Sequence, residues 1–123
     1  MNPRVPFLLL SAGILVLLAF LHSNTGERLR IVVESGTYQF APATVRLRIR
    51  VEPDAANRAL AVGLISDGYE TSSLEQLSGA QAPITRWVEY HDIPAGVYAV
   101  VATVHRPDAD PWRAATAVTV VGQ

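Results

Sequence analysis

Side chains able to do chemistry are sparse in this chain: it has three histidines, no cysteine and a single methionine at position 1. A zinc site draws three or four ligands from His, Cys and carboxylates, and His91 and His105 supply too few unless acids join them. His22 stands apart from both, beside an apolar stretch. Within His105–Arg113, Asp108 and Asp110 have the i, i+2 spacing of calcium-binding carboxylates. The Gly and distal Glu of an EF-hand loop are missing. Ser72 and Ser73 are available as nucleophiles, but no His and acid stand around them in a recognisable frame, and no Gly-rich phosphate loop opens a helix. The expectation is a chain with no catalytic residue, no metal, no cofactor and no enzymatic activity.

What remains is chemistry of contact. Arg46, Arg48 and Arg50 alternate with Val45, Leu47, Ile49 and Val51, which puts three cations on one face of a strand at intervals of about 6.6 Å, twice the rise per residue. Such a row suits acidic lipid headgroups, a polyanion or an acidic partner strand. It equally suits a solvated face cross-paired with acids on neighbouring strands, or a charged edge that discourages aggregation. Trp87 and Trp112 are the other candidates, since exposed Trp anchors protein and sugar contacts. Either ring can instead cover the core or lie on an Arg stem. A net charge of −1 provides no basic field for nucleic acid.

The elements that must carry these residues are strands. Leu29, Ile31 and Val33 begin the first alternating run, and a turn at Ser35-Gly36 leads to Tyr38 and Phe40 before Pro42 interrupts the ladder. Val45 to Val51 is the clearest strand. Pro53 to Asn57 is a turn, Leu60, Val62 and Leu64 alternate after it, and Asp67-Gly68 turns again. Tyr69 to Leu77 is read as a strand, and Gly79 to Pro83 as a loop. Ile84–Tyr90, Val97–His105 and Ala114–Val121 complete the set. Short strands separated by Gly, Pro and Asp turns predict an all-β antiparallel sandwich of about seven strands. Its core is expected to use the alternating residues named above together with Val88, Tyr90, Ile93, Tyr98, Val100, Ala102, Val104, Val118 and Val120.

An uncharged stretch, Val5 to Leu21, precedes this domain directly behind Arg4. As a helix it would be about 26 Å long, near the lower limit for crossing a bilayer. A cleaved signal and an uncleaved anchor both fit. Its length, and bulky residues around Ala19-Phe20-Leu21-His22-Ser23 where a cut site wants small ones, favour the anchor. Residues 1–26 are therefore read as signal anchor or signal peptide plus linker, and residues 27–123 as the β domain. The absence of cysteine, and of any N-x-S/T sequon at Asn24 or Asn57, suits a bacterial envelope better than a disulfide-rich secreted domain.

The motif Asp92-Ile93-Pro94-Ala95-Gly96-Val97-Tyr98-Ala99-Val100 resembles the turn entering a late strand of immunoglobulin-like, fibronectin type III-like and carboxypeptidase regulatory-like domains. That resemblance implies a tyrosine corner, with the Tyr98 hydroxyl turned back onto the backbone upstream. It also implies that Val100 and Ile49 stand where an antibody domain has its two cysteines. A second set of residues, Tyr38-Gln39-Phe40-Ala41-Pro42 and the Gly-x-Tyr strand ending at His105, looks like parts of a cupredoxin. Without Cys or an axial Met it would be a copper-free relative.

Two functional readings follow. One is a non-enzymatic interaction or structural module, held outside the cytoplasmic membrane of a bacterium by residues 5–21, with an envelope protein as partner. The alternative is a secreted sandwich that binds carbohydrate, with Trp87, Trp112 and Tyr69 as candidate stacking surfaces.

Overall fold

The computed structural model describes residues 28–122, so the apolar segment and its expected helix lie outside the described residues. Eight strands follow one another: β1 (Leu29–Val33), β2 (Tyr38–Phe40), β3 (Ala43–Val51), β4 (Ala59–Ile65), β5 (Glu70–Gln76), β6 (Thr85–Ile93), β7 (Gly96–His105) and β8 (Trp112–Val121). They form a three-stranded sheet ordered β1-β3-β6 and a five-stranded sheet ordered β2-β8-β7-β4-β5. The all-β sandwich expected from strand alternation is present. It has one strand more than expected, and β2 runs parallel to β8, with Tyr38 beside Thr119 and Phe40 beside Val121. A three-residue parallel pairing carries no local signal, which is why Tyr38–Phe40 reads in sequence as an interrupted run.

Alternation decides which side of each strand is buried. In β3, Ala43, Val45, Leu47, Ile49 and Val51 face inward, while Arg46 and Arg50 are exposed and Arg48 is half-buried. From the other sheet Leu60, Val62, Leu64, Tyr98, Val100, Ala102, Val104, Val118 and Val120 meet them in one cluster. Burying aliphatic side chains of this size stabilises by roughly 1.5–3 kcal/mol each, offset by the ordering of the chain. Ile31 and Val33, expected in the core, are only half-buried and pack against its rim, because β1 is an edge strand. Ile49 and Val100 are both fully buried, in opposite sheets of that cluster.

Polar side chains staple one flank of the sandwich. Tyr90 Oη, on β6, donates to the buried Val62 carbonyl at 3.2 Å and lies 2.9 Å from Ser73 Oγ on β5. Beside it Arg86 Nε bonds Glu75 Oε1 at 2.9 Å. Burial pushes the Tyr90 hydroxyl above its ordinary pKa.

The Pro-x-Gly-x-Tyr turn has a physical explanation. Tyr98 is fully buried and its hydroxyl donates to the Pro94 carbonyl at 2.7 Å, which is the geometry expected of it. The ring folds back over Gly96, where a Cβ would stand 3.2 Å from the ring carbon Cε1, so a side chain there would press the buried ring to shift by a few tenths of an ångström. Just upstream, Ala43 lies opposite Ile93 and Val45 opposite Tyr90, so β6 holds one extra residue there. Asp92, at φ +58°, takes up the resulting bulge.

The strand directions also fix two ends. Leu29, Val51, Ala59, His105 and Trp112 gather at the end where the described chain starts, here called the base. Val33, Phe40, Ile65 and Val121 lie toward the opposite end.

Candidate functional site

The outer face of the three-stranded sheet brings the arginine row and Trp87 together. Arg48 stands between Val32 of β1 and Trp87 of β6, Arg50 between Arg30 and Thr85, and Arg46 opposite Glu89. Arg46 Nε bonds Glu89 Oε2 at 2.6 Å, and Arg48 Nε bonds Glu34 Oε2 at 2.5 Å. Pairing with acids thus holds for two of the three arginines, across strands for Arg46 and to the turn after β1 for Arg48. The Arg46 hydrogen bond is the main reason the Glu89 carboxyl lies below the usual carboxylate range. Glu89 also approaches His91 Nε2 at 3.3 Å. Arg50 makes no ion pair among the described residues. Trp87 is 56% exposed on this face, as expected from the inward positions of Val88 and Tyr90.

Trp112 belongs elsewhere. It opens β8, at the base of the other sheet, and only 6% of it is exposed. The Arg106 guanidinium carbon lies 4.2 Å from its ring centroid and that of Arg28 lies 5.6 Å away, within cation–π range. Arg106 is itself fixed by Nε donating to Asn57 Oδ1 at 3.0 Å, Nη2 to Asp54 Oδ1 at 3.1 Å and Nη1 to the Asp110 carbonyl at 3.0 Å. Asn57, fully buried, donates in turn to the Glu52 carbonyl at 3.0 Å. The Ala56 N–H and the Arg106 guanidinium hold the Asp54 carboxyl below its ordinary pKa. Trp112 is therefore a core residue locked under arginine stems, and its role as an exposed contact or sugar-stacking surface is corrected. A two-tryptophan carbohydrate platform fails with it.

The surface missed in sequence lies at the far end of the five-stranded sheet. Tyr38 and Val97 flank Thr119 across β2, β8 and β7, with Phe40 beside Val121 one step along. Tyr38, Phe40 and Val97 are 68%, 61% and 65% exposed. The i, i+2 spacing of Tyr38 and Phe40 placed both rings on one face, but nothing local showed that this face would stay uncovered.

Among the described residues no group of three or more His, Cys, Asp or Glu is gathered as a metal would require. His91 lies at the far end of β6 and His105 at the base of β7, in different sheets.

No protein-family model matches the chain, and no curated protein matches it in sequence. Similarity appears in solved structures. The superoxide reductase (neelaredoxin) of Ignicoccus hospitalis superposes with a TM-score of 0.57 at 15% identity, over 73% of this chain and 79% of that one. A single-substitution variant of the same reductase gives 0.57 and 15% over 73% and 78%. The CARDB domain of the PF1109 protein from Pyrococcus furiosus, solved in complex with di-metal ions, gives 0.47 and 13% over 77% and 94%. At such identities the likeness is one of fold. It overturns one expectation: an enzyme, superoxide reductase, is built on this kind of sandwich, so scarcity of familiar motifs does not establish that the chain lacks activity.

Proposed function

We propose that this chain is an extracytoplasmic interaction module of a bacterial envelope, with an immunoglobulin-like sandwich tethered to the cytoplasmic membrane by residues 5–21 and presented to an envelope protein partner. The observation that carries this reading is the uncovered cluster Tyr38, Phe40 and Val97. It holds two large aromatic side chains, each more than half exposed, on a sheet face at the end remote from where the tether enters. Aromatic residues are the side chains enriched at the centres of protein interfaces, where one anchor contributes about 2 kcal/mol or more. The immunoglobulin-like assignment is supported by the two-sheet core and by the Tyr98–Pro94 hydrogen bond.

Photo-crosslinking in intact cells tests the contact. A photoreactive phenylalanine replacing Phe40 should give one discrete adduct, lost on Tyr38→Ala, whereas the same group replacing Asp108 at the base should give none. A smear from both positions, or no adduct from position 40, overturns the assignment.

A further inference from the structure

We infer that the open edge of β5 pairs with the β5 edge of a second copy of this chain, joining two five-stranded sheets into one across a two-fold axis at Ser73. Among the described residues the edge strands are β1 and β6 in one sheet, β2 and β5 in the other. An open edge offers its N–H and C=O groups to any other strand, and proteins blunt such edges with shortness, Pro, bulges or cations. β1 has five residues and β2 three, and the bulge at Asp92 breaks the register of β6. β5 uses none of these devices. Its seven residues keep an unbroken register with β4, from Gln76 opposite Ala59 to Glu70 opposite Ile65, and include no Pro, Lys or Arg. Leu74 in the middle of it is 66% exposed.

Hydrogen-bond phase decides which residues face the open side. Leu77 N donates to the Arg58 carbonyl and Ser66 N to the Tyr69 carbonyl, each at 2.9 Å. Bonded and non-bonded pairs alternate along an antiparallel ladder, so Thr71, Ser73 and Glu75 bond β4, while Glu70, Ser72, Leu74 and Gln76 turn their N–H and C=O outward. Two such edges match only when even-numbered residues meet even-numbered ones. A two-fold axis at Ser73 does this and overlaps the whole strand. Ser72 then stands opposite Leu74 of the second copy, and Glu70 opposite its Gln76. Each of these narrow pairs exchanges two hydrogen bonds, about eight over the strand. Charge agrees with the register: Glu70 meets an amide and Glu75 meets Thr71, so no like charges oppose one another across the junction. The edge is thus its own complement, which selects a second copy over a foreign strand. Antiparallel pairing turns the two bases opposite ways. Linkers 22–27, at most about 20 Å long, still reach one bilayer when the joined sheets lie along it, and the pairing itself does not depend on the tether.

The chain has no cysteine, so single introduced cysteines report the pairing without background. At the axis Ser73 meets its own counterpart in a non-hydrogen-bonded pair, with Cα atoms about 4.5 Å apart, within the span a disulfide bridges. Oxidation of the full-length Ser73→Cys chain in intact cells with copper phenanthroline should convert it to a dimer linked to itself. Ser72→Cys should give none, because its two copies lie on a diagonal about 7–8 Å apart, too far for a disulfide. Adding Ser72→Pro to the Ser73→Cys chain should abolish the dimer. The N–H which that proline removes points away from β4, so the domain keeps its own ladder and its far-ultraviolet circular dichroism should match the parent. Since Ser73 Oγ lies 2.9 Å from Tyr90 Oη, light scattering of the detergent-solubilised chain supplies a readout with Ser73 intact: a dimer for the wild type, a monomer for Ser72→Pro. A monomeric wild type, a dimer that Ser72→Pro leaves whole, or a Ser73→Cys adduct with a different protein overturns the pairing. Equal cross-linking from Ser72→Cys and Ser73→Cys overturns the axis.

Discussion

Replacing Trp112 by Ala should remove a large part of the stability of the sandwich. A buried Trp covers roughly 150–250 Å², and at about 25 cal/mol per Å² its ring contributes about 4–6 kcal/mol. Truncations of this kind cost about 3–5 kcal/mol where the site relaxes only partly. Relaxation here is restricted, since Arg106 is held over the ring by three hydrogen bonds to Asn57, Asp54 and the Asp110 carbonyl. We expect about 4 kcal/mol, from a total of about 5–15 kcal/mol for an ordinary domain. The measurement is urea unfolding of residues 27–123, whose described core runs from Leu29 to Val120. The midpoint should fall with little change in slope. A cycle with Arg106→Gln and Trp112→Leu should give a coupling of about 1 kcal/mol for the stacked pair. A cost below about 1 kcal/mol for Trp112→Ala would refute the burial of the ring, and a coupling near zero would refute the stack.

Three further outcomes are expected. Because the chain has only two tryptophans, Trp87→Phe should leave a blue-shifted emission, from buried Trp112, that acrylamide quenches poorly. Tyr98→Phe should cost about 1 kcal/mol, because the hydrogen bond is part-buried and Pro94 is an exposed turn residue whose carbonyl water can reach once released; a loss above about 3 kcal/mol in urea unfolding would show that the hydroxyl has another role. Burial raises the pKa of both Tyr90 and Tyr98 above the ordinary 10.0. The unfolded chain therefore loses these protons first, and stability should be constant below about pH 10 and fall above it. The double Phe variant should flatten that alkaline limb.

The alternation of β3 was readable because a strand with one face buried must repeat with period two, and Val45 to Val51 do so without exception. The same rule contained the place of Trp112: it shares even-numbered phase with Ala114, Val118 and Val120, all buried. The preceding Asp-Pro turn disguised it as the end of a loop. Other features had no local trace. Partner acids for Arg46 and Arg48 come from β6 and from the turn after β1, 43 and 14 residues away in sequence. Asn57 looks like an ordinary turn residue until the Arg106 network is assembled around it and buries it. The exposure of Tyr38 and Phe40 depends on what lies over the sheet, which no alternation pattern encodes.

The described chain starts at the base beside Trp112 and leaves β8 at the opposite end of the sandwich. A pull between these two ends therefore runs along the strands. Ladder hydrogen bonds lie across that direction, so β1 against β3 and β8 against β7 would be loaded in shear, many bonds together, instead of being unzipped one at a time. If the base is fixed to a bilayer and the far end grips a partner, the domain is oriented as a mechanical link: strain between the two would be borne by whole ladders.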